Sequence, residues 1–219
     1  IDGTLPLSPV PEIHPVAIAA SGSGALYVHE FELSRLNEGL GVLETVADLN
    51  GDDPSYPAAL TELSPESFVF IAFEASTGNE LWQTNGEPLG TSSLLRDIWP
   101  GAGGGLTISV EDSLQGTPAP RIVNVGPGAV LRADDGIHGA ELWVTDGTAL
   151  GTGLLRDIYP GDYPSTPRNF TRFGDRVFFT AESELEGLEL WATDGKYDGT
   201  VLVKDIAPGG ASSIPDDLV

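Results

Sequence analysis

The chain has 219 residues, 40% of them hydrophobic, with 28 Gly, 17 Pro, no Cys and a formal net charge of −23 from 33 acidic and 10 basic side chains. That balance works against nucleic acid and against anionic membrane surfaces, and the lack of cysteine excludes a disulfide framework, a thiolate metal site and a cysteine nucleophile. One turn-rich, all-β domain fits what remains.

Residues 1–14, I-D-G-T-L-P-L-S-P-V-P-E-I-H, are punctuated by proline and have no usable period, so they read as an extended tail or linker. The chain opens on Ile1 instead of Met, which fits a processed or trimmed product whose targeting segment, if any, has gone. Pro15 to Val28 is a charge-free run broken by Ser-Gly-Ser-Gly, too short to span a bilayer. Within it, Val16 to Ser21 and Gly24 to Val28 read as the opening strands of a first unit, residues 15–51, which ends V-A-D-L-N-G. That unit lacks the tryptophan and the Asp-Gly turn of its successors, so it is expected to be degenerate and one strand short.

The later units repeat one another. Gly78 to Gly101, Gly139 to Gly161 and Gly187 to Gly209 each read G-x-E-L-W-x-T-D/N-G, then Gly-Thr, then an apolar run ending in Asp-Ile-x-Pro-Gly. Recurrence over such a period marks one supersecondary unit copied and stacked. Glu-Leu-Trp-x-Thr is a strand, and the Asp-Gly or Asn-Gly after it is a turn that needs positive φ. The return strands are expected at Leu94 to Ile98, Leu154 to Ile158 and Val201 to Ile206, each stopped by Pro-Gly, since proline removes a ladder donor. Apolar runs upstream, clearest at Asn169 to Phe173 and Arg176 to Ala181, supply two more strands, giving four per unit.

Spacing supports one register. The distance from the Ala before the acidic loop to the Trp is 82 − 72, 143 − 133 and 191 − 181, always 10. From Trp to Asp it is 157 − 143 = 14 and 205 − 191 = 14 but 97 − 82 = 15, so unit two carries one extra residue as a bulge or a longer loop. Adjacent apolar residues such as Leu142 and Trp143 lie on opposite faces of one strand, which predicts sheets covered on both sides. The fold class expected is all-β and β-propeller-like, with units at 15–51, 57–101, 102–161 and 162–209. A tail, 210–219, resembles the start of another unit. Either it lends unit one its missing strand and closes the ring, which is favoured because the shortfall at one end matches the excess at the other, or the natural chain continues. An insertion in unit three, Leu114 to Pro120, is expected between its early strands as a docking loop.

The signature E-L-W-x-T-D-G-T-x-x-G-T, preceded by A-D-D-G-x-H-G and followed by L-x-x-D-I-x-P-G, resembles the ELWxxDGT repeat family of bacterial secreted and surface proteins. Unit three matches nearly throughout; units two and four depart at Asn85, Glu87 and Lys196, and unit one hardly matches. The resemblance implies a propeller-like fold in an extracytoplasmic bacterial protein and brings no catalytic residues with it.

Several side-chain groups are candidates for chemistry. Asp48, Asn50 and Asp52 place oxygens at alternate positions of a tight loop, as calcium loops do, although Tyr56 and Ala59 stand where later ligands belong. Asp134, Asp135, His138 and Glu141 resemble a metal cluster, but the sister loops have Thr77 and Glu186 in place of the histidine, which favours turn chemistry. Gly101 to Gly105 has no following Lys and reads as a connection, not a phosphate cradle. Glu182, Glu184, Glu186 and Glu189 form an acidic edge of the kind a glycoside hydrolase pairs. Arg96, Arg156 and Lys204 recur once per unit, which points to pairing between sheets or to a cation over a neighbouring Trp. The expectation is a non-enzymatic scaffold in the periplasm or at the cell surface. It would dock a protein, a membrane-attached complex or a glycan, without nucleic acid and without spanning a membrane. No cofactor is expected beyond calcium, and the alternative is a carbohydrate-active hydrolase.

Overall fold

The structure is a computed structural model that describes residues 19–21, 24–29, 32–37, 39–51, 53–88, 90–106, 122–213 and 215. Among the described residues sixteen strands form four antiparallel sheets, each a simple up-and-down meander of four. The first sheet holds β1 (Ala19–Ser21), β2 (Gly24–His29), β3 (Glu32–Asn37) and β4 (Val42–Ala47). The second holds β5 (Ala58–Ser64), β6 (Ser67–Glu74), β7 (Gly78–Thr84) and β8 (Ser92–Arg96). The third holds β9 (Ile122–Val125), β10 (Gly128–Asp134), β11 (Ala140–Thr145) and β12 (Gly153–Arg156). The fourth holds β13 (Arg168–Phe173), β14 (Arg176–Ser183), β15 (Gly187–Thr193) and β16 (Val201–Lys204).

The sheets stack face to face in chain order. Their first strands touch, β1 with β5, β5 with β9 and β9 with β13, so the sheets fan out from that edge as propeller blades do. Asn124 Nδ2 donates to the Glu62 carbonyl at 2.8 Å across one such contact. Three apolar layers fill the gaps. Leu26, Leu33 and Val46 meet Phe68, Phe70 and Trp82. Val69, Leu81, Leu95 and Ile98 meet Leu131 and Trp143, and Leu142, Leu155 and Ile158 meet Phe179 and Trp191. Each layer therefore holds the tryptophan position of one unit against the return strand of the unit before it, and both faces of the inner sheets are dry, as the adjacent apolar residues predict.

The first unit is complete, contrary to the expected shortfall. Ser34 stands at the tryptophan position, and the register Leu33↔Ala47 then Ser34↔Thr45 copies Leu142↔Arg156 then Trp143↔Leu154. Its second hairpin is merely shorter, because His29 pairs with Glu32 where Ala133 pairs with Glu141. The described part of the tail, residues 210–213 and 215, forms no strand on the first sheet, and Ser213 donates its N–H to the Leu188 carbonyl of the fourth unit.

Two further expectations are corrected, and one that left two alternatives is decided. The return strands end at Arg96, Arg156 and Lys204, two residues early, since the amide of the following Ile is drawn out of the ladder by a glutamate described below. The extra residue of unit two is loop, not bulge. Trp82 pairs with Leu94 and Trp143 with Leu154, separations of 94 − 82 = 12 and 154 − 143 = 11, whereas the register shift just before the tryptophan is shared by units two, three and four. The insertion of unit three precedes both early strands, because β9 and β10 are joined directly by the turn at Gly126; Leu114 to Pro120 lies outside the described residues.

Candidate functional site: carboxylate clasps between sheets

The glutamate two residues before each tryptophan shares its strand face by alternation. It should therefore point into the apolar layer, and it does: Glu80, Glu141 and Glu189 have no solvent contact. A buried carboxylate is tolerable only if its lone pairs are filled. Glu141 accepts the N–H groups of Ile158 at 2.9 Å, Tyr159 at 3.4 Å and Ser165 at 2.8 Å, and the Ser165 hydroxyl at 2.5 Å. Glu80 accepts from Ile98, Trp99 and Gly105, and Glu189 accepts from Ile206, Ala207 and both donors of Ser213. In the first unit Glu32 takes the N–H and hydroxyl of Ser55. Each carboxylate thus ties the end of its own sheet to the segment that leads onward.

Burial pushes Glu80, Glu141 and Glu32 above the ordinary glutamate value, opposed by these hydrogen bonds. The repeat's aspartate adds like charge, Asp97 beside Glu80 and Asp48 beside Glu32. Glu189 differs: burial pushes it up too, but less protein surrounds it, and the donors of Ser213, Ala207 and Ile206 hold it below the ordinary value.

A second device orders the turn after each tryptophan strand. Asp146 Oδ1 accepts the Thr148 amide at 2.8 Å and the Thr148 hydroxyl at 2.7 Å, and its carboxylate lies where a Cβ on Gly151 would sit. Thr145 and Thr152 join hydroxyls at 2.7 Å, as do Thr193 and Thr200; in unit two Ser92 bonds Thr84 at 3.1 Å. The Asp-Gly-Thr-x-x-Gly-Thr signature is therefore a self-bonded loop. Arg96 and Arg156 reach forward across the layers. Each lies over the next unit's tryptophan, at 5.7 and 5.8 Å, and donates to the carbonyl of Thr152 or Thr200.

Several of the residues singled out for chemistry bond backbone groups or neighbouring side chains. Asp48 Oδ1 accepts the Gly51 amide at 2.8 Å. Asn50 donates to the carbonyls of Pro54 and Phe73 and accepts the Ala75 amide on Oδ1, so its oxygen clamps the second sheet and is not turned to a cation shared with Asp48. Asp52 lies outside the described residues. Asp134 and Asp135 accept turn amides, and His138 Nδ1 bonds Asp135 Oδ2 at 2.8 Å, which raises the histidine and lowers the aspartate. Glu141, meant to complete that cluster, points into the core instead. Among the described residues no three His, Asp or Glu side chains converge on a metal position. On the acidic edge, Glu189 is buried in its clasp, Glu186 accepts the Ser183 hydroxyl, and Glu182 and Glu184 are exposed. The Gly105 amide belongs to Glu80, so the glycine run is a connection as expected.

The clasp was missed in the sequence although its signal was present. Glu-Leu-Ser at Glu32 to Ser34 precedes Asp48 by 48 − 34 = 14, the Trp-to-Asp spacing of units three and four. The chain matches no protein-family model, no curated protein and no solved structure.

Proposed function

We propose that this chain is a non-enzymatic binding and scaffold module of a bacterial extracytoplasmic protein, placed in the periplasm or at the cell surface as an accessory part of a membrane-attached assembly. It presents loops at one end of the sheets to a protein or glycan partner. The observation that carries this reading is a set of large apolar side chains left in water on those loops: Trp99 at 43%, Ile137 at 68% and Tyr163 at 65% exposure. Trp99 lies against Gly136 of the next unit's loop, and Tyr163 lies 5.5 Å from Tyr159 between ring centres. The positions are successive, since Trp99 and Tyr159 both occupy the x of Asp-Ile-x-Pro-Gly. Exposed aromatics beside polar loops are the usual anchors of protein interfaces and of sugar stacking. Among the carboxylates nearby, Glu80 and Glu141 are engaged by amides, which leaves them unsupported as proton donors to a substrate.

A photo-reactive residue at Ile137 or Tyr163 of the full chain, irradiated in the native cell envelope, should give one discrete adduct that Trp99→Ala removes, while a probe at Leu150 gives none. Turnover on a glycoside panel that a single Glu→Gln change abolishes would overturn the reading in favour of a hydrolase.

A further inference from the structure

The four return-strand faces can be compared position by position. In units two and three the face toward the following sheet carries Val69, Leu81, Leu95 and Ile98, or Val130, Leu142, Leu155 and Ile158, all with at most 8% exposure. In unit one Leu33 and Val46 are equally buried. The matching residues of unit four are Phe178, Leu190, Val203 and Ile206; the first two are half-buried, and Val203 and Ile206 are 46% and 50% exposed. Lys204 stands where Arg96 and Arg156 reach forward, is exposed, and meets no partner among the described residues. The fourth sheet has the face of an inner sheet without the neighbour.

The backbone beyond β16 takes the path that leads into a following sheet. Glu189 holds Ser213 as Glu141 holds Ser165, and the Ser213 amide also reaches the Leu188 carbonyl, the counterpart of the Ala140 carbonyl that Thr166 bonds from one position further on. The Ser165 carbonyl then accepts an amide from the second strand of its sheet, at Glu182, and the Ser55 carbonyl does the same from Phe73.

We propose that the exposed face of the fourth sheet docks a further four-stranded sheet of this same repeat, one with Glu-x-Trp in its third strand. This rests on continuity with three existing interfaces and not on the loop function proposed above. The incoming tryptophan covers Val203 and Ile206, and Lys204 lies over its ring and donates to the carbonyl of the threonine after its turn. The first sheet does not meet these demands, since it has Ser34 at the tryptophan position and Leu43 nine residues on, where Trp143 is followed by Thr152.

The chain has no cysteine, so Val203→Cys gives a single reporter. In the 219-residue chain it should react freely with a maleimide. With residues 166–209 duplicated directly after Ser213, labelling should slow by at least about tenfold, and Trp→Ala in the added copy should restore it. Equal rates with and without the added sheet, both forms being folded by circular dichroism, would overturn the proposal. Should the extended form not fold, the natural chain still decides. Val203→Glu should leave Tm within about 2 °C, whereas Leu155→Glu lowers it by more than about 5 °C. Equal losses would mean the face is already covered within the chain. A dimer in sedimentation that Val203→Glu dissolves would give the face to a second copy; either result sinks the idea.

Discussion

Ser165 is bound twice by Glu141 across 24 residues, through its amide at 2.8 Å and its hydroxyl at 2.5 Å. The same double bond joins Ser213 to Glu189 across 24 residues and Ser55 to Glu32 across 23. This pair, more than any single apolar contact, fixes where one sheet ends and the next begins.

Replacing Glu141 by Gln keeps the shape but turns an amide nitrogen toward donors, leaving buried N–H groups unpaired. The expected loss is about 1 to 3 kcal/mol in urea unfolding. Glu141→Gln at wild-type stability would show that the clasp is incidental.

The pH dependence of that loss should have opposite signs at two equivalent glutamates. Glu141 is raised in the folded state, first by burial, so its contribution is full below the ordinary value of 4.5 and declines as pH rises through its raised value. Glu189 is lowered, because the donors of Ser213, Ala207 and Ile206 outweigh burial, so its contribution is full above 4.5 and declines as pH falls through its lowered value. The cost of Glu141→Gln should therefore shrink toward neutral pH, and that of Glu189→Gln should shrink toward acid. Denaturation series at several pH values check both slopes.

Tryptophans in core and loop should separate cleanly. Trp143 and Trp191 are 2% and 6% exposed, so truncation to Ala should cost about 3 to 5 kcal/mol. Trp99 is 43% exposed, and Trp99→Ala should cost less than about 1 kcal/mol. A loss below about 1 kcal/mol at Trp143 would remove it from the core.

Two glycines of the motif should behave differently. Gly187 has φ +68, and a Cβ there would meet the backbone of Gly210 and Ala211 at 3.0 to 3.1 Å; Gly187→Ala combines strain with a clash and should cost more than about 2 kcal/mol. A Cβ on Gly151 would first meet the Asp146 carboxylate, which can swing away at the loss of its Thr148 bonds. Gly151→Ala should cost about 1 kcal/mol. Thermal unfolding of the two variants ranks them.

Much of the fold was legible because each unit is local. Strand alternation around Glu-Leu-Trp, Gly at positive φ and Pro-Gly stops act within a few residues, and recurrence let three copies correct one another. Unit one was misread as short because its tryptophan is Ser34 and its second hairpin is trimmed; both changes erase the most visible letters while leaving Glu32 and the register in place. The candidate cation loop is ambiguous in sequence for a different reason. Alternate oxygens at Asp48 and Asn50 look alike whether they surround an ion or backbone amides, and the choice lies with Phe73 and Ala75, more than twenty residues away.

The sequence by itself determined the all-β class, the number of sheets and the register of the second strand on the third in units two to four, since these follow from period-two alternation and turn chemistry. Tertiary structure alone decided which glutamates are buried, where the return strands stop, and that Ser213 is held to the fourth sheet by Glu189. Those outcomes depend on donors brought together across some two dozen residues and on which face has a neighbour to exclude water, and neither is written in any local run of letters.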